Sequence, residues 1–232
     1  MHPSAMANGA RFFEAYVRHL DQPLVVDIGS QDVFGSLRSV APAHARYVGV
    51  DMVPGKGVDV VIGDPYVLPF ETGSVDVVVS SSCVEHMEFF WVAFLEMMRV
   101  LGPRGVLYLN MPSNGAFHRY PVDCWRFYPD SGKALARWGQ RNGLDCLLLE
   151  SYTSRQHQDL WNDFVCVILR DAASLALYPR RILSGLEGYS NGLCHPRLDH
   201  FLNPQELTED QRLLETELAR RGAADPVRRG NL

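Results

Sequence analysis

From Leu24 to Leu169, short β-branched runs alternate with helix-length amphipathic stretches, and a glycine closes the first run. This alternation predicts an α/β fold, because strands joined through helices build right-handed crossovers and a parallel sheet. The expected architecture is Rossmann-like and doubly wound. Its sheet is mostly parallel and seven-stranded, with an antiparallel last strand and helices on both faces.

The elements follow in order. Ala10 to Leu20 reads as a helix leading into the first strand, and Leu24-Val25-Val26-Asp27-Ile28 is a nearly all-apolar run closed by Gly29. Such a run suits a strand buried on both faces. Tyr47 to Asp51 is the second strand, Val58 to Ile62 the third and Val75 to Ser80 the fourth. Phe89 to Leu101 carries apolar side chains on most turns, with Glu88 and Glu96 outside, and reads as a helix stopped by Gly102-Pro103. The Gly102-Pro103-Arg104-Gly105 turn opens the fifth strand, Val106 to Met111. A further helix, Ser131 to Arg141, precedes two strand-like runs, Leu144 to Ser151 and Phe164 to Leu169, which suit a hairpin-like final pair.

After Arg170 the pattern weakens, and Ala172 to Pro204 shows no clear periodicity. Leu207 to Arg221 is helical in composition, with acids opening it and arginines closing it, as the helix dipole favours. A single domain over 1–232 is expected, with its core at about 10–170 and a C-terminal extension over 171–232.

Composition narrows the class. The 232 residues are 47% hydrophobic and 21% charged, a globular mixture, and the net charge is -5 without a block of basic residues. Nucleic acid is therefore not an expected partner. The five cysteines lack CxxC spacing, which argues against a disulfide scaffold or a zinc site and for a reducing compartment. Met1 to Ala10 lacks an apolar targeting core, and the longest apolar runs are strand-sized, so a cytoplasmic chain without a membrane span is expected.

Chemistry concentrates at the carboxyl ends of the strands, where open α/β sheets bind ligands. The first loop is Asp27-Ile28-Gly29-Ser30-Gln31-Asp32-Val33-Phe34-Gly35. Gly29 permits a sharp turn and close ligand approach, and the helix expected to follow would offer unpaired N–H groups. Alone, this is also what an ordinary tight turn looks like, and the full GxGxxG is missing. Asp51 ends the second strand, where a carboxylate can accept both hydroxyls of a ribose.

The third segment runs Gly63-Asp64-Pro65-Tyr66-Val67-Leu68-Pro69-Phe70, then Ser74-Val75-Asp76-Val77-Val78-Val79-Ser80, then Glu85-His86-Met87. With Arg99 to Leu107, this ordered set resembles the class I S-adenosylmethionine-dependent methyltransferases, in particular their small-molecule "type 11" branch. The resemblance spans roughly Val25 to Pro112 and implies S-adenosyl-L-methionine as cofactor. It implies that Asp27, Gly29 and Ser30 border the methionine moiety, that Asp51 holds the ribose and that Asp64 meets the adenine. Ser80 and Ser81 would line the floor beneath the sulfonium. Gln31 and Val33 stand where the family usually has glycine, so backbone approach in this loop must differ. An acid-rich loop without a phosphate cradle suits a sulfonium cation.

The acceptor should approach over the loop after strand five, Met111 to Tyr128, which is dense in groups that bond, stack or titrate. Its His118-x-x-Pro121-x-Asp123-x-x-Arg126-Phe127 pattern is similar to stretches in methyltransferases of glycan biosynthesis, which implies a sugar, glycan precursor or similar hydroxylated metabolite. A hydroxyl acceptor needs help losing its proton. His118 is the first candidate base, Asp123 its orienter or substitute, and His86 the rival base. Arg126 could clamp an anionic group on the substrate, with Tyr120 and Trp125 contributing contacts. For the aromatic residues, core packing is the competing role, and for His86 a structural hydrogen bond is. His195 and His200 lack completing ligands, so no metal is expected. A nicotinamide-dependent oxidoreductase would explain Gly29 and Asp51 but not the Asp64 segment. A non-catalytic S-adenosylmethionine-binding protein would leave the His118 loop without a purpose. The oligomeric state is open.

Overall fold

Val25 and Val26 are neighbours in sequence, face opposite sides of one sheet and are both fully buried, as a strand flanked by strands requires. The structure, a computed structural model, describes residues 1–224. Its strands are β1 (Leu24–Ile28), β2 (Arg46–Asp51), β3 (Val60–Val61), β4 (Val75–Ser81), β5 (Leu101–Pro112), β6 (Leu147–Ser154), β7 (Asp163–Leu169), β8 (Tyr189–Cys194) and β9 (Arg197–Leu202). They form one nine-stranded sheet in the order β3-β2-β1-β4-β5-β7-β6-β8-β9. β1, β2, β3, β4 and β5 pair in parallel. β7 inserts antiparallel between β5 and β6. All seven expected strands form. Two more, β8 and β9, come from the segment without clear periodicity and extend the sheet beyond β6.

The helices are α1 (Pro3–Phe12), α2 (Phe90–Val100), α3 (Ser131–Arg141) and α4 (Glu209–Ala224). α2 buries Ala93, Phe94, Met97 and Met98, and α3 buries Leu135 and Ala136, against the face that carries Val26, Ile28, Val78, Leu107 and Leu109. The opposite face is covered by α1 and the π-helical turn Phe13–Val17 that continues it. There Phe12 stacks on Tyr108 at 4.5 Å, and Phe12 and Tyr16 are fully buried. Each such side chain contributes roughly 1.5–3 kcal/mol. Beneath them Glu150, also fully buried, accepts the Tyr16 hydroxyl at 2.5 Å and the N–H groups of Ile182 and Leu183 at 2.7 and 2.9 Å. One carboxylate thus ties the N-terminal segment, the sheet and the C-terminal extension together.

Three expectations change. No α-helix follows β1; the chain makes a loop and a single 3-10 turn, Leu37–Ser39. The loop closes on itself instead, with Asp32 accepting the Gly35 N–H at 2.8 Å and Ser36 capping the turn. The first helix begins at Pro3, not Ala10, since Pro fits a first helical position. β3 shortens to Val60–Val61: the Asp59 carboxylate, which also pairs with Arg38, takes the Gly49 N–H at 2.7 Å in place of a backbone carbonyl, although the Asp59 N–H still donates to Gly49 O at 2.8 Å. α4 starts at Glu209, close to the expected helix.

Candidate active site

Gly29 sits at φ +80°, a conformation that favours glycine, and Cys83 lies where a Cβ would go, closer than van der Waals contact allows. The N–H groups of Gly29 and Ser30 both donate to Val50 O, at 2.9 and 3.1 Å, which pins the loop to the end of β2. Ser30 packs against Gly49, whose missing Cβ makes room for it and for Gly57. The loop after β2 then folds over the loop after β1. Asp32 N–H donates to Lys56 O at 2.8 Å, and the Lys56 ammonium pairs with the Asp32 carboxylate at 2.6 Å.

The candidate cofactor residues converge on this region. Asp51 Oδ1 accepts from Met52 N at 2.7 Å and Val53 N at 3.3 Å, while Oδ2 accepts only from Gln31 N at 3.1 Å. Oδ2 therefore keeps a lone pair for a ribose hydroxyl. Asp64 is exposed and closes its own turn onto Tyr66 N at 2.8 Å. Ser80 Oγ donates to Ile28 O at 2.8 Å, so this hydroxyl binds β4 to β1. Ser30, Ser81 and Ser82 carry buried hydroxyls without a partner among the described residues. Three orphaned hydroxyls around the Gly29 turn fit a polar ligand there. Asp27 points away, into the face covered by α1. It accepts the Tyr47 hydroxyl at 2.7 Å, and burial pushes its carboxyl up to about 7.

The acceptor-side residues gather at the ends of β4 and β5. His86 lies in a 3-10 turn, Val84–His86, just after β4, and His118 lies on the loop after β5. Their rings meet edge to face at 5.0 Å. His86 Nδ1 lies 2.5 Å from Val122 O, and His118 Nδ1 lies 3.0 Å from Ala116 O. A carbonyl only accepts, so in each neutral ring Nδ1 carries the hydrogen and Nε2 keeps its lone pair. Burial lowers the pKa of His86, which favours that neutral form.

Asp123 takes the His118 backbone N–H at 2.7 Å and a two-point contact from Arg126, at 2.6 and 2.9 Å. Hydrogen bonding from Arg126 holds its carboxyl well below the usual range. The pairing bears on two expectations. Arg126 is neutralised by Asp123 and so is not a free anion clamp, and Asp123 fixes the loop and not the His118 ring, whose Nδ1 lies 3.5 Å away. Trp125 donates to Met87 O at 2.9 Å and packs on Phe90 and Trp91, a packing role. Tyr120 is exposed. A cavity of about 280 Å³ opens beside them, lined by Gly115, Phe117, Asp123, Cys124, Trp125 and Arg126.

Two neighbours escaped the sequence reading. Trp161 meets His118 edge on at 5.1 Å and stacks on His2 at 5.5 Å, so the N-terminal segment reaches the site. No local pattern marks this contact, which joins residues far apart in sequence. Glu85 is 1% exposed, and its Oε2 has no partner among the described residues. Burial pushes its carboxyl up to about 8. Its signal was the acid directly before His86 in a turn after a strand.

Residues 26–109 match a family model described as a methyltransferase domain. No curated protein sequence matches the chain. Among solved structures, a chain from the complex between the Haloferax volcanii Trm112 methyltransferase activator and a methyltransferase is similar, with 15% identity and a TM-score of 0.53 over 72% of this chain and 88% of that one. The Burkholderia thailandensis 1,6-didemethyltoxoflavin-N1-methyltransferase, with its substrate and S-adenosylhomocysteine bound, is 14% identical with a TM-score of 0.54, over 72% of this chain and 79% of that one. The [4+2]-cyclase SpnF is 12% identical with a TM-score of 0.50, over 72% of this chain and 81% of that one. At these identities the likeness is one of fold, and the family match to 26–109 adds the activity and S-adenosylmethionine as cofactor. Residues 26–109 thus match a methyltransferase domain, set in the Rossmann-like fold that the chain shares with these methyltransferase structures.

Proposed function

We propose that this domain methylates a hydroxyl of a small acceptor, a sugar or glycan precursor or a similarly hydroxylated metabolite, held over the ends of β4 and β5. When bound, S-adenosylmethionine supplies a methyl carbon activated by its sulfonium. Asp51 and Asp64 would hold its ribose and adenine, with Gly29, Ser30 and Ser81 around the methionine end; Asp27 and Ser80 would support that region from behind. The chain would work as a single domain over 1–232, in the reducing cytoplasm that its free cysteines suit, without nucleic acid. No helix among the described residues is long and apolar enough to cross a membrane.

The observation that carries the acceptor reading is the tautomer of the two imidazoles. With both Nδ1 atoms facing carbonyls, His118 and His86 keep their Nε2 lone pairs for an acceptor proton. His118 is the more accessible and lies on the loop that lines the cavity, which favours it as the base. The hydroxyl proton would pass to His118 Nε2 as the acceptor oxygen bonds to the methyl carbon and the carbon–sulfur bond breaks, its electron pair leaving with S-adenosylhomocysteine. Exposed Phe117 beside the polar Asp123–Arg126 pair suits a ligand with one apolar and one hydroxylated face.

A panel of hydroxylated acceptors assayed with radiolabelled S-adenosylmethionine tests this. His118→Ala should lower turnover by about 10²–10⁴-fold with S-adenosylhomocysteine affinity nearly intact. His86→Ala should act mainly on thermal stability, because it releases the bond to Val122. The reverse ranking moves the base to His86, and full turnover in both variants removes the base from the mechanism.

A further inference from the structure

We propose that Glu85, His86 and His118 form a binding site for one divalent first-row transition ion. One carboxylate oxygen and one nitrogen from each imidazole lie within 4.8 Å of one another. Two imidazoles and a carboxylate suit zinc, iron, cobalt or nickel better than the all-oxygen shells of magnesium or calcium. With bonds of about 2.0–2.2 Å, the three donors need to close only modestly around an ion.

Two further observations point to a ligand. Glu85 is 1% exposed, yet Oε2 has no partner among the described residues, while Oε1 lies 3.7 Å from His86 Nε2. A buried carboxylate oxygen without a hydrogen-bond partner is unsatisfied, and a metal ion is a group that would satisfy it. Each histidine also shows the outer contact that metal-ligating imidazoles almost always make. The ring nitrogen that would not bind the ion faces a backbone carbonyl, Val122 O for His86 and Ala116 O for His118. These contacts orient both rings with Nε2 free. Arg126 is a nearby cation that could oppose an ion, and its two-point pair with Asp123 offsets its charge.

The expectation of no metal rested on the cysteine spacing and on His195 and His200, and this set lies elsewhere. His118 is separated from Glu85 and His86 by all of α2 and β5, so spacing along the chain does not reveal this set.

Coordination takes the same His118 Nε2 lone pair that the proposed base uses, so the test must not depend on turnover. Tag-free full-length protein, stripped with chelator and dialysed, is titrated with zinc(II) by calorimetry and with cobalt(II) by visible absorption. The proposal expects one ion per chain, a cobalt ligand-field spectrum of mixed nitrogen and oxygen donors, and displacement of cobalt by zinc. Glu85→Gln, which keeps the shape of the buried side chain, and His118→Ala should each weaken binding by more than the about 10–100-fold typical of outer contacts. Far-ultraviolet circular dichroism confirms that the variants are folded. His200→Ala should bind as the wild type does. Absence of binding below millimolar, wild-type affinity in folded Glu85→Gln and His118→Ala, or loss of the site in His200→Ala overturns the proposal. A metal result of that kind leaves the base reading standing, since that reading is judged by turnover in metal-free protein.

Discussion

Asp27→Asn is a test of how deeply the end of β1 is buried. Burial pushes this carboxyl from an ordinary 3.8 up to about 7, against the opposing hydrogen bond from Tyr47. A raised native pKa means that the neutral carboxyl is the favoured native form. Its stabilisation is therefore complete below pH 3.8 and is lost as the pH rises through about 7. Each tenfold in proton affinity is worth about 1.4 kcal/mol, so the native state is penalised by about 4 kcal/mol at alkaline pH. About 3 kcal/mol of that develops between pH 5 and pH 8. Asparagine cannot ionise, and its carbonyl oxygen can still accept the Tyr47 hydroxyl. Its new N–H groups lack partners, which costs about 1–3 kcal/mol at every pH. The variant should gain about 3 kcal/mol on wild type between pH 5 and pH 8, and be the more stable of the two at pH 8. Urea unfolding followed by circular dichroism at the two pH values measures the difference. An offset between the two proteins that is the same at pH 5 and pH 8 would show that Asp27 does not titrate in this range, and the burial argument would fail.

Gly29→Val should prevent folding or lower stability by several kcal/mol, since it combines a positive φ with a collision against Cys83; a folded variant with normal S-adenosylhomocysteine binding would refute the assigned turn. Asp51→Ala should weaken S-adenosylhomocysteine by roughly 1–3 kcal/mol in calorimetry, and unchanged affinity would remove it from the ribose. Because Asp51 also closes the loop onto Gln31, Met52 and Val53, a small fall in melting temperature should accompany this. Tyr16→Phe should destabilise by about 1–3 kcal/mol through the lost bond to buried Glu150, and a melting temperature equal to wild type would show that water replaces the hydroxyl.

The central sheet was legible because its strands are two-sided. Val25-Val26 and Val77-Val78-Val79 leave no alternation to misread, and the bounds of β1 and α3 match the sequence reading. The uncovered elements are those whose order depends on distant partners. β8 contains Ser190, Asn191 and Gly192 and has no strand-like run of its own; it forms because β6 offers a ladder. The loop after β1 was expected to enter a helix on analogy with other βα units, but Asp32, Gly35 and Ser36 satisfy one another locally. In the site, His86 and His118 were legible as residues with chemistry beyond the strand ends. Their tautomers were not, since these depend on carbonyls of Val122 and Ala116 whose directions only the folded loop fixes. Arg126 read as free for the same reason: the two-point geometry of its pair with Asp123 is a property of the folded loop and not of the spacing.

The cover over one face of the sheet imposes an order on biosynthesis. Phe12 and Tyr16 are synthesised early, yet Phe12 packs on Tyr108, Tyr16 packs on Tyr178, and Tyr16 bonds to Glu150. The aromatic face of the nascent helix therefore has no sheet to dock on until β5 and β6 have left the ribosome. Throughout that interval it is exposed, and contacts of such long sequence separation close slowly. An N-terminal fusion that holds residues 3–17 away from the emerging sheet should therefore impair folding more than a fusion at the far end of the chain.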